Sequence, residues 1–200
     1  MILLYFTNTH CIIGFIYIFL QAYKTSLTPS VPTHRYTQQF KASIRPFITG
    51  ATDVKSDGHC GYRVVALALG LGEDAWRKVR IDLFHSLRSL SILYESIFGR
   101  SRVAELKHSI EYFEEPLIAP KDYWMDMPEM GYVIATCYGV VVTHVSRSLC
   151  LTCLPFSVHP DILEGSEIRE IGIGFVNDDH FVQVHIELYG LFYWIFKLSL

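Results

Sequence analysis

Two residues far apart in the chain, Cys60 and His180, are of the types that together could perform nucleophilic chemistry. Cys60 follows an Asp-Gly turn and precedes an apolar run at residues 64–69 that predicts a helix. Free N–H groups at the start of a helix favour thiolate over thiol and can also bind an oxyanion. His180 opens an alternating pattern at residues 180–184 that predicts a strand. A thiol and a distant imidazole that the fold brings together predict a cysteine hydrolase.

The elements that must position these residues are helices first and strands later. Helical periodicity predicts helices at residues 60–70, 73–90 and 102–113, and a fourth that follows the capping-box-like residues 126–129 and ends at Gly139. Apolar runs predict strands at residues 140–145, 150–154, 171–176 and 181–188. The turn at residues 177–179 predicts a hairpin between the last two strands. This order is typical of an α+β layered domain.

The composition fits one globular domain, since the 200 residues are 50% hydrophobic and 18% charged. The net charge is -3 and the Lys and Arg residues are scattered, which argues against a nucleic-acid partner. We divide the chain into an apolar extension (1–24), a linker (25–39), the domain (40–188) and an apolar tail (189–200). Two alternatives stay open for the extension: a segment without a role, or a membrane anchor through residues 1–20 that keeps the domain on the cytosolic side.

The five cysteines are Cys11, Cys60, Cys137, Cys150 and Cys153. An odd and unclustered set of this kind argues against a secreted disulfide framework. Cys150 and Cys153 have C-x-x-C spacing, but side chains three residues apart on a strand point to opposite faces. We therefore expect buried apolar cysteines there, not a zinc or redox site.

Both candidate residues lie in motifs that resemble the ovarian-tumour (OTU) family of cysteine proteases. Residues 57–63 (DGHCGYR) are similar to the family's nucleophile motif, and residues 180–184 (HFVQV) are similar to its histidine strand. Further blocks that resemble the family lie in order at residues 43–47, 72–76, 124–131 and 171–177. The whole set is similar to OTU-like modules of plant and fungal proteins, some of them associated with transposons. The resemblance implies a papain-like α+β fold with helices packed on a small, mostly antiparallel sheet.

The resemblance also implies roles at the site. Cys60 is the expected nucleophile, His180 the general base, and Asp57 a supporting residue near the oxyanion hole. Many family members carry Asp or Asn two residues after the histidine, but here that position is Val182, which accepts no hydrogen bond. This departure predicts low activity, a relocated partner or a degenerate enzyme. A backbone carbonyl or a water could orient the imidazole, and the candidate side chains are Asn177, Asp178, Asp179 and Asp57.

The resemblance implies a deubiquitinase that acts on conjugates of ubiquitin or of a ubiquitin-like modifier, with no cofactor and no metal. We expect a monomer inside the cell, in the cytoplasm or the nucleus. Val182 leaves an alternative open, a catalytically degenerate OTU-like binding module within a transposon-derived protein. A zinc protein that uses Cys150, Cys153 and histidines is a third reading, which the strand geometry opposes.

Overall fold

The computed structural model describes residues 35–114, 117–156 and 169–186. The helices in this part of the chain are α1 (Cys60–Ala68), α2 (Trp76–Ser89), α3 (Ser91–Phe98), α4 (Arg100–Ile110) and α5 (Glu129–Tyr138). The strands are β1 (Ile48–Thr52), β2 (Val141–Val145), β3 (Cys150–Cys153), β4 (Glu170–Val176) and β5 (His180–Ile186). Short 3-10 helices lie at Thr37–Gln39, Arg45–Phe47, Glu73–Ala75 and Lys121–Tyr123.

The strands form one sheet in the order β1-β5-β4-β2-β3. β2 and β4 run parallel, and the other neighbouring pairs run antiparallel. This arrangement confirms the predicted α+β class with a small, mostly antiparallel sheet. The predicted hairpin is also confirmed, because β4 and β5 pair with Phe175 opposite Phe181. Asn177 and Asp178 adopt the positive φ angles, 57° and 61°, that suit a tight hairpin turn.

The two faces of the sheet carry different groups of buried side chains. The helices pack on one face, where the helix-side core includes Val64, Trp76 and Phe181. The other face carries a smaller group, the back cluster, which consists of Tyr36, Phe40, Ile48, Val145, Val176, Val182 and Val184. Because β5 lies between β1 and β4 and contributes to both groups, the first residues of β5 are buried on both faces.

The predicted helices are largely confirmed, with shifted boundaries. α1 begins at Cys60 as predicted, and α5 ends at Tyr138, one residue earlier than predicted, with Gly139 capping it in the left-handed conformation at φ 62°. The predicted helix at residues 73–90 begins as a 3-10 turn and becomes α2 at Trp76. The predicted helix at residues 102–113 is α4, which begins and ends a few residues earlier.

The sequence analysis missed two elements, α3 and β1. In α3 the apolar side chain of Ile92 is 87% exposed, so the apolar residues of this helix do not mark one buried face. β1 contains Gly50 and, among the strands that the structure describes, pairs with β5 alone, with an irregular register between Ile48 and Gly50. Such a short edge strand lacks the alternation by which strands are recognised. The sequence therefore assigned no place in the fold to the residues that follow β1.

The ends of the predicted domain differ from the structure at one boundary. The predicted extension at residues 1–24 and the tail at residues 189–200 lie outside the described residues. The last part of the predicted linker, residues 35–39, belongs to the fold, because Tyr36 is only 7% exposed and lies in the back cluster. None of the helices in the described part of the chain has the length and apolar character that a membrane crossing requires.

Candidate active site

The turn before α1 holds Cys60 at the first position of the helix. Gly58 adopts φ 79°, and a Cβ at this position would lie 2.6 Å from the carbonyl oxygen of Ala119. The Ala119 N–H donates to the carbonyl oxygen of Asp57 at 2.9 Å, and the Trp124 indole N–H donates to the Ala119 carbonyl at 2.8 Å. Glycine is therefore required at this turn, which is fixed against the loop that precedes α5.

Asp57 supports the backbone of this turn. Its Oδ1 accepts a hydrogen bond from the His59 N–H at 3.0 Å, and its Oδ2 pairs with Nη2 of the buried Arg63 at 2.7 Å. Burial alone would raise the pKa of the Asp57 carboxyl, but the hydrogen bonds from Arg63 and from the His59 N–H outweigh it and leave the pKa below its ordinary value. Asp57 therefore lies three residues before Cys60, and its carboxylate is engaged in contacts that hold the turn.

His59 is adjacent to Cys60 in sequence, but its side chain lies in the interior. Its ring stacks on Trp76 with centroids 3.7 Å apart, and its Nδ1 lies 3.0 Å from Nη2 of the buried Arg80. Burial, together with the charge of Arg80, lowers the pKa of His59 to about 4. His59 is thus neutral near pH 7 and is buried behind the turn that precedes Cys60. Trp76 is a core residue, as the helical spacing predicted.

His180 is hydrogen-bonded to a carboxylate that the sequence analysis missed. Its Nε2 lies 2.7 Å from Oδ1 of Asp53, the residue that follows β1. Antiparallel pairing of β1 with β5, with Thr52 opposite Gln183, brings Asp53 next to the start of β5. Because β1 itself carries no clear strand signal, nothing in the sequence identified Asp53 as a partner of the histidine.

The hydrogen bond to Asp53 determines which ring nitrogen of His180 carries the proton. A carboxylate only accepts hydrogen bonds, so we assign the proton of the neutral ring to Nε2. Nδ1 is then the basic nitrogen, and it is buried without a hydrogen-bond partner among the described residues. Burial lowers the pKa of His180, the charge of Asp179 opposes that effect, and the charge of Arg35 adds to it. A buried, unprotonated nitrogen is what a general base requires.

The Cys60 thiol lies beside the start of β5. α1 packs against β5, and the N–H of Phe181, the residue after His180, interacts with the Cys60 sulfur. Burial raises the pKa of the thiol, and the N–H groups of Phe181 and Gly61 only partly oppose this effect. The raised pKa is opposite to the lowered pKa that an accessible helix start would produce, because Cys60 is only 5% exposed. The resting pair is therefore a neutral thiol and a neutral imidazole.

The other candidates for orienting the imidazole lie in or near the β4–β5 turn. Asn177 exchanges two hydrogen bonds with Gln39, at 2.8 Å and 2.7 Å, and Asp178 follows it in the turn. Asp179 donates its N–H to a backbone carbonyl of β4, and its charge favours the protonated ring of the histidine. Val182 is fully buried in the back cluster. The imidazole instead donates its Nε2 proton to the carboxylate of Asp53, which follows β1.

The C-x-x-C pair has the predicted strand geometry. Cys153 is buried in the helix-side core, whereas Cys150 packs against the back cluster on the other face. Within residues 35–114, 117–156 and 169–186, no group of three or more His, Cys, Asp or Glu side chains could hold a metal ion. The two thiols therefore point away from each other, as the spacing predicted.

No model of a known protein family matches this chain, and no curated protein matches it either. Among solved structures, the chain is similar to the OTU domain of OTUD1, with 17% identity, a TM-score of 0.48, and coverage of 68% of this chain and 85% of that one. It is similar to the viral OTU domain protease from Dera Ghazi Khan virus, with 11% identity, a TM-score of 0.48 and coverage of 72% and 84%. It is also similar to the Hazara virus OTU bound to ubiquitin, with 13% identity, a TM-score of 0.46 and coverage of 76% and 84%.

Proposed function

We propose that this protein is a cysteine isopeptidase that removes ubiquitin or a ubiquitin-like modifier. Cys60 is the nucleophile, His180 is the general base, and Asp53 orients the imidazole. The observation that carries the proposal is the 2.7 Å hydrogen bond from Nε2 to Asp53, which leaves a buried, basic Nδ1 at the start of the strand against which α1 packs. The resemblance of residues 57–63 and 180–184 to the OTU motifs supports the substrate class.

The first half of the reaction forms a thioester. Nδ1 of His180 takes the proton of the Cys60 thiol as the sulfur attacks the carbonyl carbon of the modifier's C-terminal glycine. The carbonyl oxygen becomes an oxyanion, and the N–H groups in the first turn of α1, which have no partner within the helix, are available to stabilise it. The imidazolium then returns the proton to the lysine amine as the C–N bond breaks, and the thioester remains.

The second half of the reaction restores the thiol. Nδ1 accepts a proton from a water molecule as its oxygen attacks the thioester carbonyl. The C–S bond breaks, the imidazolium protonates the Cys60 sulfur, and the modifier leaves with a free carboxyl group, which loses its proton to solvent. Because the resting pair is neutral, the proton moves during the attack and not before it.

Labelling with ubiquitin that carries a thiol-reactive group at its C-terminus tests this proposal. We expect the full chain to form one covalent adduct, and Cys60→Ala to abolish it. Cys137→Ala is the matched control, because Cys137 is a half-buried thiol whose pKa burial raises to about 11. An adduct that persists in Cys60→Ala would exclude Cys60 as the nucleophile.

The burial of Cys60 and His180, each 5% exposed, favours a second candidate function, an OTU-like module that binds ubiquitin without cleaving it. The same experiment separates the two functions when a binding measurement with unmodified ubiquitin accompanies it. A folded protein that binds ubiquitin but forms no adduct is a binding module. A folded protein that neither binds nor reacts contradicts ubiquitin as the partner, and the same reactive group on another modifier then tests the wider class.

A further inference from the structure

Four donors contact the carboxylate of Asp53, the residue that follows β1. Oδ1 accepts from Nε2 of His180 at 2.7 Å and from the Val54 N–H at 3.0 Å. Oδ2 accepts from the Tyr36 hydroxyl at 3.0 Å and also pairs with the guanidinium of Arg35. A carboxylate offers about four lone-pair sites, so each site has a donor. Rotation of the carboxylate away from the imidazole would break contacts at both oxygens.

The two donors to Oδ2 differ in how firmly they are held. The Arg35 side chain is 64% exposed, and an exposed ion pair contributes little to geometry or stability. The Tyr36 ring is buried in the back cluster, with the residue 7% exposed, so its hydroxyl is presented from a fixed position. Tyr36 is therefore the donor that can hold Oδ2 in place.

The back cluster explains why this support comes from outside β5. Val182 lies two residues after His180 on the same face of the strand, and its buried side chain belongs to the same cluster as Tyr36. An apolar side chain cannot hold an imidazole or a carboxylate by a hydrogen bond. The polar contacts on this side of the histidine are thus supplied by Asp53 and by the segment that precedes β1.

We propose that Tyr36 is a positioning residue, whose hydroxyl fixes the Asp53 carboxylate so that Oδ1 faces Nε2 of His180. This inference rests on the proposed function for its effect on the reaction, while its effect on the imidazole is independent of any substrate. It assigns a role in the active site to residues that the sequence pattern predicts to be a linker.

Two measurements on Tyr36→Phe in the full chain test the proposal. The variant keeps the ring in the back cluster and removes one donor to Oδ2. With ubiquitin that carries a C-terminal fluorogenic amide, we expect kcat to fall by about three- to tenfold with KM unchanged, because the hydroxyl acts through Asp53 and not on the substrate. In spectra of protein with 15N-labelled histidine, we expect the Nε2 proton of His180 to exchange with solvent about tenfold faster.

Tyr138→Phe is the matched control, because the Tyr138 hydroxyl also donates to an aspartate, Asp82, at 3.0 Å. It should change neither measurement. A double variant, Tyr36→Phe with Asp53→Asn, separates positioning from a general loss of stability. If Tyr36 acts through Asp53, adding Tyr36→Phe to Asp53→Asn should lower kcat by less than about twofold further. If Tyr36→Phe acts through an indirect structural effect, it should lower kcat of the Asp53→Asn protein by the same factor as it lowers kcat of the unaltered protein.

The outcomes distinguish this inference from the proposed function. If the unaltered protein cleaves the substrate but Tyr36→Phe matches Tyr138→Phe in both kcat and proton exchange, Tyr36 is not a positioning residue. If the unaltered protein does not cleave the substrate, the proposed function fails, and proton exchange alone decides whether Tyr36 fixes the hydrogen bond between Asp53 and His180. If the unaltered protein cleaves the substrate, full additivity of the effects on kcat in the double variant also overturns the inference.

Discussion

Replacing Asp53 with Asn tests the arrangement of the candidate site most directly. An amide has one accepting and one donating end, so it cannot satisfy donors at both former carboxylate oxygens. If the amide oxygen faces His180, the NH2 group lies against the donors of Tyr36 and Arg35. If the amide is rotated the other way, the NH2 group lies against the Nε2 proton of His180. The substitution therefore removes the hydrogen bond to the imidazole or weakens the support for that bond.

The magnitude follows from the character of this bond. At 2.7 Å it joins a ring N–H to a carboxylate, and hydrogen bonds to charged groups contribute about 1.5–3 kcal/mol. Since about 1.4 kcal/mol corresponds to a factor of ten in rate, we expect kcat of Asp53→Asn to fall by about 10- to 100-fold. KM should stay within about twofold, because Asp53 acts through the imidazole and does not meet the substrate.

The assay is steady-state cleavage of ubiquitin with a C-terminal fluorogenic amide, with circular dichroism to show that the variant is folded. Asp82→Asn is the control, because Asp82 also accepts hydrogen bonds, from Lys78 at 2.7 Å and from Tyr138 at 3.0 Å, but lies on α2. A kcat for Asp53→Asn within about twofold of the unaltered protein would show that the hydrogen bond from His180 to Asp53 does not support the reaction. An equal fall in Asp82→Asn would show a general effect of removing a carboxylate.

Three further predictions concern pH and stability. The pKa of Cys60 is above its ordinary value of 9.0, and the pKa of His180 is below its ordinary value of 6.5. The rate at which iodoacetamide alkylates Cys60 should therefore keep rising as the pH increases into the alkaline range. A rate that stays constant down to acidic pH would instead indicate a preformed ion pair between the Cys60 thiolate and the His180 imidazolium. Asp57→Asn, which removes the buried carboxylate partner of Arg63, should lower the free energy of unfolding by about 1.5–3 kcal/mol in urea titrations at pH 7. The pKa of Asp57 in the folded state lies below its ordinary value of 3.8, so its ionised carboxylate stabilises the fold above pH 3.8. This stabilisation is lost as the pH falls through the folded-state pKa. The free energy of unfolding of Asp57→Asn should therefore fall less steeply in acid than that of the unaltered protein. Val182→Asn should cost about 2–3 kcal/mol in the same titrations without raising kcat, and a gain in kcat would show that the imidazole accepts a partner from its own strand.

The positions of Cys60 and His180 at the starts of a helix and a strand could be predicted from the sequence because their signals are local. An Asp-Gly turn before an apolar helical run marks Cys60, and a turn before an alternating run marks His180. Both residues lie at the first position of their predicted elements in the structure. The partner of the histidine depends on long-range pairing between a short edge strand and β5, which no local pattern reveals. Asp53 therefore required the structure.

The boundary of the domain shows the same limit. Residues 25–39 contain the prolines and small polar residues that are typical of a linker. This composition gave no sign that Tyr36 packs in the back cluster. A buried tyrosine in such a segment is recognised only from the cavity that it fills. The missed helix α3 is a related case, since Ile92 is exposed and its apolar character gives no information about the buried face.

The edge position of β1 determines when the site can assemble during synthesis. β1, which ends just before Asp53, leaves the ribosome well before its partner β5, since His180 lies 127 positions after Asp53 in the sequence. Until β5 emerges, the nascent chain carries Cys60 without His180, and β1 without the strand with which it pairs. Contacts between such distant segments form slowly, and unpaired strands are prone to misassembly. The candidate site is thus complete only after β5 has been synthesised, so the unfinished chain carries Cys60 and Asp53 without His180 between them.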